Sequence, residues 1–307
     1  MFDKKKLAVL KIRSKLIGAA RNWLDQNGYV EVQGPTMIPA IGEWAGHFEV
    51  KYFDKKAYLA QGLHPYSNAF VASLGKIYTI APTFRAEKSR TVRHLTEYWR
   101  IEVAQNCSCE IAIENQEKLL THISHSLLAA AKEDLSYLNR SVKDLQKVET
   151  PFPRLSYDEV VDVLQKDRFS IAWGQRIDWQ LENHLSLKFQ QPFFITDFPT
   201  STETLFFKSN PGKPELTLSF DLLAPGGYGE IGGGGQMVDK EKLMLRKMAE
   251  EKIEQNDQEW YMNLMRPASS PQSGFAIGIE RLLQWICELG NIKEATAFPR
   301  SYDTLYP

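Results

Sequence analysis

The chain has 307 residues, 43% of them hydrophobic and 24% charged, enough apolar material to build one large domain or two small ones. Its 37 Lys and Arg balance 38 Asp and Glu to a net charge of −1, which excludes the overall basic excess of a protein that coats nucleic acid and leaves only a local basic patch open. No apolar run is long enough to span a bilayer, Met1-Phe2-Asp3-Lys4-Lys5-Lys6 lacks the apolar core of a signal peptide, and three cysteines make no disulfide framework, so a cytoplasmic protein that binds no membrane is expected.

From Lys5 to Asn27, Leu7, Leu10, Leu16, Ile17, Ala20, Trp23 and Leu24 recur at helical spacing, and Gly28 is a natural stop. Tyr29 to Val32 alternates like a strand until Gly34-Pro35 breaks it. Lys76 to Ile80 and Tyr98 to Val103 predict two further strands, joined by the charged stretch Pro82 to Glu97. A helix is expected over Glu110 to Leu135 and a short one over Tyr157 to Leu164. Further strands are predicted at Pro192 to Thr196, Thr204 to Lys208 and Glu215 to Leu223. Between Gly226 and Gly235, seven of ten residues are glycine. Val238 to Gln255 and Asp257 to Met265 read as helices, and the strand Gly274 to Ile279 runs into the helix Glu280 to Leu289. This order predicts an α+β fold, an antiparallel sheet flanked by helices.

Three segments carry candidate chemistry. The loop Phe84-Arg85-Ala86-Glu87 to Glu97 holds Arg85, Lys88, Arg90, Arg93 and His94, donors that can surround a polyanion. On composition alone a solvated hairpin tip is the better reading. Asp221 and Glu230 bracket the glycine-rich stretch, where two carboxylates beside bare backbone can hold Mg²⁺ against phosphate oxygens. A flexible loop with a solvated glutamate is an equal reading, and no Gly-Lys-Ser/Thr follows to make a Walker loop. Arg281, where Gly274 to Ile279 meets its helix, can stack on an aromatic ring or pair with a phosphate, or simply be an exposed corner residue. Cys107 and Cys109 lack the second pair that a zinc site needs, and His122 and His125 lack a carboxylate at metal spacing and read as surface residues. Trp173, Trp179 and Trp285 read as core.

Taken in order, the segments resemble the three signature motifs of the class II aminoacyl-tRNA synthetases. Pro35 is similar to the motif 1 proline of the dimer interface, Phe84 to Glu97 to motif 2, and Gly274 to Arg281 to motif 3. Pro192-Phe193-Phe194-Ile195-Thr196-Asp197-Phe198-Pro199, Asp221 to Gly226, Gly229-Glu230-Ile231 and the ending through Phe298-Pro299-Arg300 bring the resemblance nearest to the asparaginyl catalytic core, over almost the whole chain. The resemblance implies one catalytic domain over 1–307, a helical insertion over 103–190, no OB-fold anticodon-binding domain, and a homodimer. It implies that Arg85 binds the α-phosphate and the activated carboxylate, Glu87 and Leu95 hold the adenine side, and His94 reaches the outer phosphates of ATP. Asp221 and Glu230 would hold Mg²⁺, Arg281 would lie over the adenine, and Arg85 and Arg281 would be the catalytic pair. The amino acid would meet Glu43, Gln61, His64, Ser67, Asn68, Gln236 and Met237.

The resemblance also has departures. Met237 follows Gln236 where the family has an arginine that pairs with the substrate side chain. His64 stands where a Gln is usual, Ser67 where aspartyl enzymes keep a Lys, and Asn68 where asparaginyl enzymes keep a Glu. Ala104 replaces a motif 2 Glu, Ala276 a motif 3 Gly, and Gln272 a His. The ATP half is kept and the amino-acid half is rewritten. The expectation from this pattern is a tRNA-independent ligase that adenylates an aspartate-like carboxylate and passes it to ammonia or a small amine, as in the asparagine synthetase built on an asparaginyl core. The alternatives are a paralogue that charges tRNA or another carrier, and a non-catalytic module that senses ATP or an amino acid.

Overall fold

The computed structural model describes residues 2–39, 46–253, 255–265 and 271–306. The chain starts with α1 (Lys4–Gln26), capped by the Asp3 carboxylate, which accepts from the Lys6 amide at 2.7 Å. Its stripe of Ala8, Val9, Ile12, Leu16, Ala20 and Leu24 is buried. Gly28, at φ 77°, lets the chain leave the helix in the left-handed region. Four short strands follow: β1 (Val30–Glu31), β2 (Met37–Ile38), β3 (Glu49–Tyr52) and β4 (Lys55–Leu59). Then come α2 (Tyr66–Leu74), β5 (Lys76–Phe84) and β6 (Glu97–Asn106). A mainly helical stretch holds α3 (Cys109–Ala130), α4 (Lys132–Tyr137), α5 (Val142–Gln146), β7 (Arg154–Ser156), α6 (Tyr157–Lys166) and α7 (Trp179–Ser186). The chain continues with β8 (Phe193–Thr196), β9 (Ser209–Asn210), β10 (Lys213–Thr217), β11 (Ser219–Ala224) and β12 (Gly229–Gln236). It ends with α8 (Glu241–Glu250), α9 (Gln255–Met265), β13 (Gln272–Gly278) and α10 (Ile279–Ile286).

The sheet runs β1-β5-β6-β13-β12-β11-β8-β7 and is antiparallel throughout its centre, with parallel pairs only at its two edges. This is the expected α+β architecture. Side chains alternate between its faces. On one face Tyr78, Ile80, Ile101, Val103, Phe275 and Ile277 pack with α1, α3 and α10 into the main core. On the other, Phe193, Ile195 and Leu223 pack under α6 and α7. The middle of that second face is left for polar side chains.

Several elements depart from the sequence reading. Thr204 to Lys208 is not a strand, because its turn makes a single bridge, Phe207 to Met237, and the pairing begins at Ser209. The predicted strand Glu215 to Leu223 divides into β10 and β11, which belong to different sheets. The glycine-rich stretch is no loop. From Gly229 onward it is β12, paired on both sides. Its glycines answer to close approach: a Cβ on Gly233 would stand 2.3 Å from Asp221 Oδ1. Trp285 is core, as expected, but Trp173 and Trp179 are 50% and 38% exposed, each on the solvent side of the small α6–α7 layer. Among the described residues no helix is long and apolar enough to cross a membrane.

Candidate active site

Strand alternation builds the site. On β6 the positions Tyr98, Arg100, Glu102 and Ala104 share the open face, while Ile101 and Val103 point into the core. Across the ladder, Gly278, Ala276 and Gly274 of β13 stand opposite Arg100, Glu102 and Ala104. On the next pair, Asp221 of β11 stands opposite Gly233 of β12. The register shifts once, between Leu222 and Leu223, so that Leu223 faces Glu230 and Ile231 becomes the extra residue. Without that bulge Glu230 would point into the main core. With it, Glu230 joins Asp221 on the open face.

Two adjoining cavities result. The smaller, of about 70 Å³, is walled by Arg93, His94, Leu95, Tyr98 and Arg281. The larger, of about 240 Å³, holds His64, Ser67, Asn68, Asp221, Met237 and Gln272. Arg85, Arg100 and Glu230 lie on both.

Arg281 donates to Glu230 Oε2 at 2.7 Å. Arg93 donates to Glu182 Oε2 at 2.9 Å and to the Glu230 carbonyl at 2.8 Å, and Glu182 accepts the Glu230 amide at 3.0 Å. Three residues thus lock the backbone and side chain at 230. Burial pushes the Glu230 carboxyl up, but the opposing pull of Arg281 and Arg93 wins and brings it down to about 2. Asp221 moves the other way. Burial, then the nearby charges of Glu230, Glu203 and Glu182, raise it well above the usual carboxylate range. Burial and the adjacent Arg281 lower His94 to about 4, so it is a neutral hydrogen-bonding group at pH 7. Its Nδ1 is held by Thr91 Oγ1.

A crowded, under-compensated carboxylate suits a divalent cation. Among the described residues no group of three or more His, Cys, Asp or Glu side chains makes a metal cage. Asp221 and Glu230 could hold Mg²⁺ with two carboxylates from the protein, the remaining ligands coming from substrate phosphates and water.

The segment 61–63 is pinned over the open face. Arg100 donates to the Gln61 carbonyl at 2.7 Å, and Glu102 accepts from the Leu63 amide at 2.9 Å. This seats α2, and with it Ser67 and Asn68, on the larger cavity. Gln272 donates to the Asn68 carbonyl at 3.4 Å. Behind His64 stands Tyr261 of α9, fully buried, with its hydroxyl 3.1 Å from His64 Nε2 and also bonded to Asn68.

Most residues singled out in the sequence meet here, but Lys88 and Arg90 line neither cavity, and four of the residues placed by the resemblance stay outside. Glu87 lines neither cavity. Its half-exposed carboxylate stands 4.0 Å from His94 Nε2, outside the wall. Gln61 is buried, and its side chain is spent on the Gly46 carbonyl at 3.1 Å. Gln236 pairs with Ser273 at an odd step of the ladder, so alternation keeps its side chain out of the larger cavity that Met237 lines. Glu43 lies outside the described residues. Glu182, Arg100, Glu102 and Tyr261 were not singled out. Glu182 sits on a short helix far along the chain from its partners, and only the folded contact reveals it. Arg100 and Glu102 were legible as alternate charged residues on a strand.

The family of tRNA synthetases class II (D, K and N) matches residues 1–302. The asparagine–tRNA ligase of Pyrococcus furiosus is 38% identical over 302 residues, covering 98% of this chain and 70% of the relative. The crystal structure of asparaginyl-tRNA synthetase from Pyrococcus horikoshii complexed with asparaginyl-adenylate superposes with a TM-score of 0.96 at 38% identity, covering 99% of this chain and 70% of that one. The Entamoeba histolytica asparaginyl-tRNA synthetase in complex with asparaginyl-adenylate gives a TM-score of 0.90 at 27% identity, over 98% of this chain and 69% of that one.

Proposed function

The chain belongs to the class II tRNA synthetases of the D, K and N group, and from that premise we propose that it is an ATP-dependent, AMP-forming ligase that activates the carboxylate of an amino acid as its adenylate. The single observation that carries this reading is the position of Arg85 on the wall common to both cavities. A phosphate in the smaller cavity and a carboxylate in the larger one would meet at that guanidinium.

In the first step a carboxylate oxygen attacks the α-phosphorus and pyrophosphate leaves in line. Arg85 holds both reacting groups, a task of positioning and of neutralising charge that spreads in the transition state. Arg281 and the backbone around Leu95 hold the nucleotide, and neutral His94 offers a hydrogen bond toward the outer phosphates. Mg²⁺ on Asp221 and Glu230 would supply charge neutralisation for the phosphates. In the second step a nucleophile attacks the activated carbonyl and AMP leaves.

The acceptor favoured by the relatives' names is tRNA, since the matched proteins are asparagine–tRNA ligases. A second reading, transfer to ammonia, draws on one observation: Ala104, Gln272, Met237, His64, Ser67 and Asn68, all departures from the family pattern, line a single cavity. The test has two stages. ATP–pyrophosphate exchange with a panel of amino acids reads adenylation. AMP release is then measured with total tRNA or with ammonium, and stimulation by only one names the acceptor. A protein that binds ATP but neither exchanges pyrophosphate nor releases AMP is a sensor, and the proposal fails.

A homodimer through the exposed surface at Val30, Pro35 and Met37 is part of this proposal. Sedimentation that gives a monomer at micromolar concentration would remove it.

A further inference from the structure

The short helix α10 carries Arg281, and its first turn is held by contacts from outside the helix. Its N-cap is Gly278, which has no side chain to offer the turn. The same corner ends a ladder. β13 stops at Gly278, opposite Arg100 of β6, so the strand pairing ends one residue short of the Trp99 amide. Glu280 takes over there. One of its carboxylate oxygens accepts from the Trp99 amide at 2.9 Å, and the other accepts from Arg13 Nη1 at 2.6 Å.

Glu280 is 1% exposed and lies on the wall of the smaller cavity beside Arg281. A negative charge in the first turn also suits the helix dipole. Burial raises the Glu280 carboxyl, and the charge of Arg13 is the largest pull against that rise. Arg13 comes from α1, where the adjacent Ile12 is fully buried in the main core and fixes its base. Two turns earlier on the same face, Lys6 donates to the carbonyls of Glu294 and Thr296 at 2.8 and 2.9 Å, on the segment that follows Ile292 of the same cavity wall.

The far end of α10 is held separately. Arg140 donates to the Ile286 carbonyl at 3.0 Å and pairs with Glu288. It lines neither cavity, and eight residues of helix put that end about 12 Å from the first turn. The two anchors therefore differ in consequence. Arg140 secures the helix, whereas Arg13 and Glu280 set the height and rotation of the turn from which Arg281 leaves. They set it against the strand that carries Tyr98 and Arg100, both on the same wall.

We propose that Arg13 is a positioning residue for the nucleotide: through Glu280 it seats the first turn of α10 on β6 and so aims Arg281 into the smaller cavity. The inference rests on the reading of that cavity as the ATP site and adds to it a residue from outside its wall.

The test compares Arg13→Met, Glu280→Gln and the double variant with the unmodified protein. The readouts are ATP–pyrophosphate exchange, with the amino acid that the parent activates, and ATP binding by calorimetry, both under Mg²⁺. Arg13→Met keeps the aliphatic stem and removes the forked donors. It is expected to lower kcat/KM for ATP and to weaken ATP binding by roughly 10–100-fold, the cost of a misaimed group, with KM for the amino acid unchanged. The double variant is expected to be no worse than the worse single one, since both break the same chain of contacts. Arg140→Met is the stability control, with a lower Tm and unchanged ATP binding. Unchanged ATP binding in folded Arg13→Met, losses that multiply in the double variant, or an equal loss in Arg140→Met overturns the proposal. If Arg13→Met does not fold, Glu280→Gln takes its place, and unchanged ATP binding there overturns the proposal as well. A parent that binds ATP but exchanges no pyrophosphate overturns the adenylation reading and leaves this one to the binding measurement. A parent that binds no ATP overturns both.

Discussion

Arg281 and Glu230 are hydrogen-bonded to one another at 2.7 Å across the strand-to-helix corner that ends β13. Two residues proposed to serve ATP thus neutralise each other. Arg281→Ala and Glu230→Ala are each expected to slow pyrophosphate exchange by roughly 10²–10³-fold. The double variant should lose much less than the product of the two, because either single change already breaks the pair. A double-mutant cycle on exchange rates checks this, and strict additivity would show that the two act independently.

Glu182 is the least obvious member of the site. Arg93 is 5% exposed and Glu182 14%, and their bond at 2.9 Å carries the backbone at Glu230 with it. Glu182→Ala leaves a buried guanidinium without its carboxylate, a change that costs about 3–5 kcal/mol. Thermal unfolding should show a clear fall in Tm, and Glu182→Gln, which keeps a hydrogen-bond acceptor, should recover part of it. An alanine variant as stable as the parent would place the weight of the network elsewhere.

Tyr261 touches the larger cavity only through His64 and Asn68. Tyr261→Phe keeps the ring stacked on Phe206 and removes the hydroxyl. The expected result is a rise of roughly 10-fold in KM for the amino acid, since the hydroxyl's bonds to His64 and Asn68 are both lost at about 0.5–1.5 kcal/mol each, with KM for ATP unchanged. Equal changes in both constants would indicate a general loosening instead.

The thiols give a pH signature. Burial raises Cys107 to about 11, and Cys109 and Cys287 to about 12. The thiolate is the form that reacts, so alkylation of the folded protein at pH 8 should be roughly 100-fold or more slower than in the denatured chain, where the ordinary thiol value applies. The rate at Cys107 should climb about tenfold per pH unit up to pH 11. Rapid labelling of the native protein at pH 8 would contradict the packing around these residues.

The sequence announced the parts of this fold with strong periodicity. The stripes of α1 and α3 run for many turns, and the charged link between β5 and β6 is bounded by two clear strands. It did not announce β12, because four consecutive glycines carry no alternation and are written by the closeness of the neighbouring strands. It did not announce the bulge at Ile231, which depends on a pairing register and not on residue type. The short helix α2, starting just after Pro65, offered only nine residues, too few for a periodic pattern to stand out. Among site residues, Arg85, Arg281, Asp221 and Glu230 were legible from their setting in recognisable segments. Glu182 and Tyr261 act through partners more than forty positions away, and no local pattern marks them.

The alternation along β6 has a consequence for how such a protein can change over generations. Ile101 and Val103 maintain the packed interior, while Arg100, Glu102 and Ala104 between them line the larger cavity. The same interleaving holds on β13, where Phe275 and Ile277 belong to the interior and Gln272, Gly274 and Ala276 to the cavity. Positions 104 and 272 thus lie on the side of the sheet away from those interior residues, and the residues proposed to hold the nucleotide lie off these strands, Arg85, His94 and Leu95 in the β5–β6 connection and Arg281 on α10. A duplicated gene could exchange one amino acid for another by drift at those few codons while its nucleotide chemistry stayed under unbroken selection.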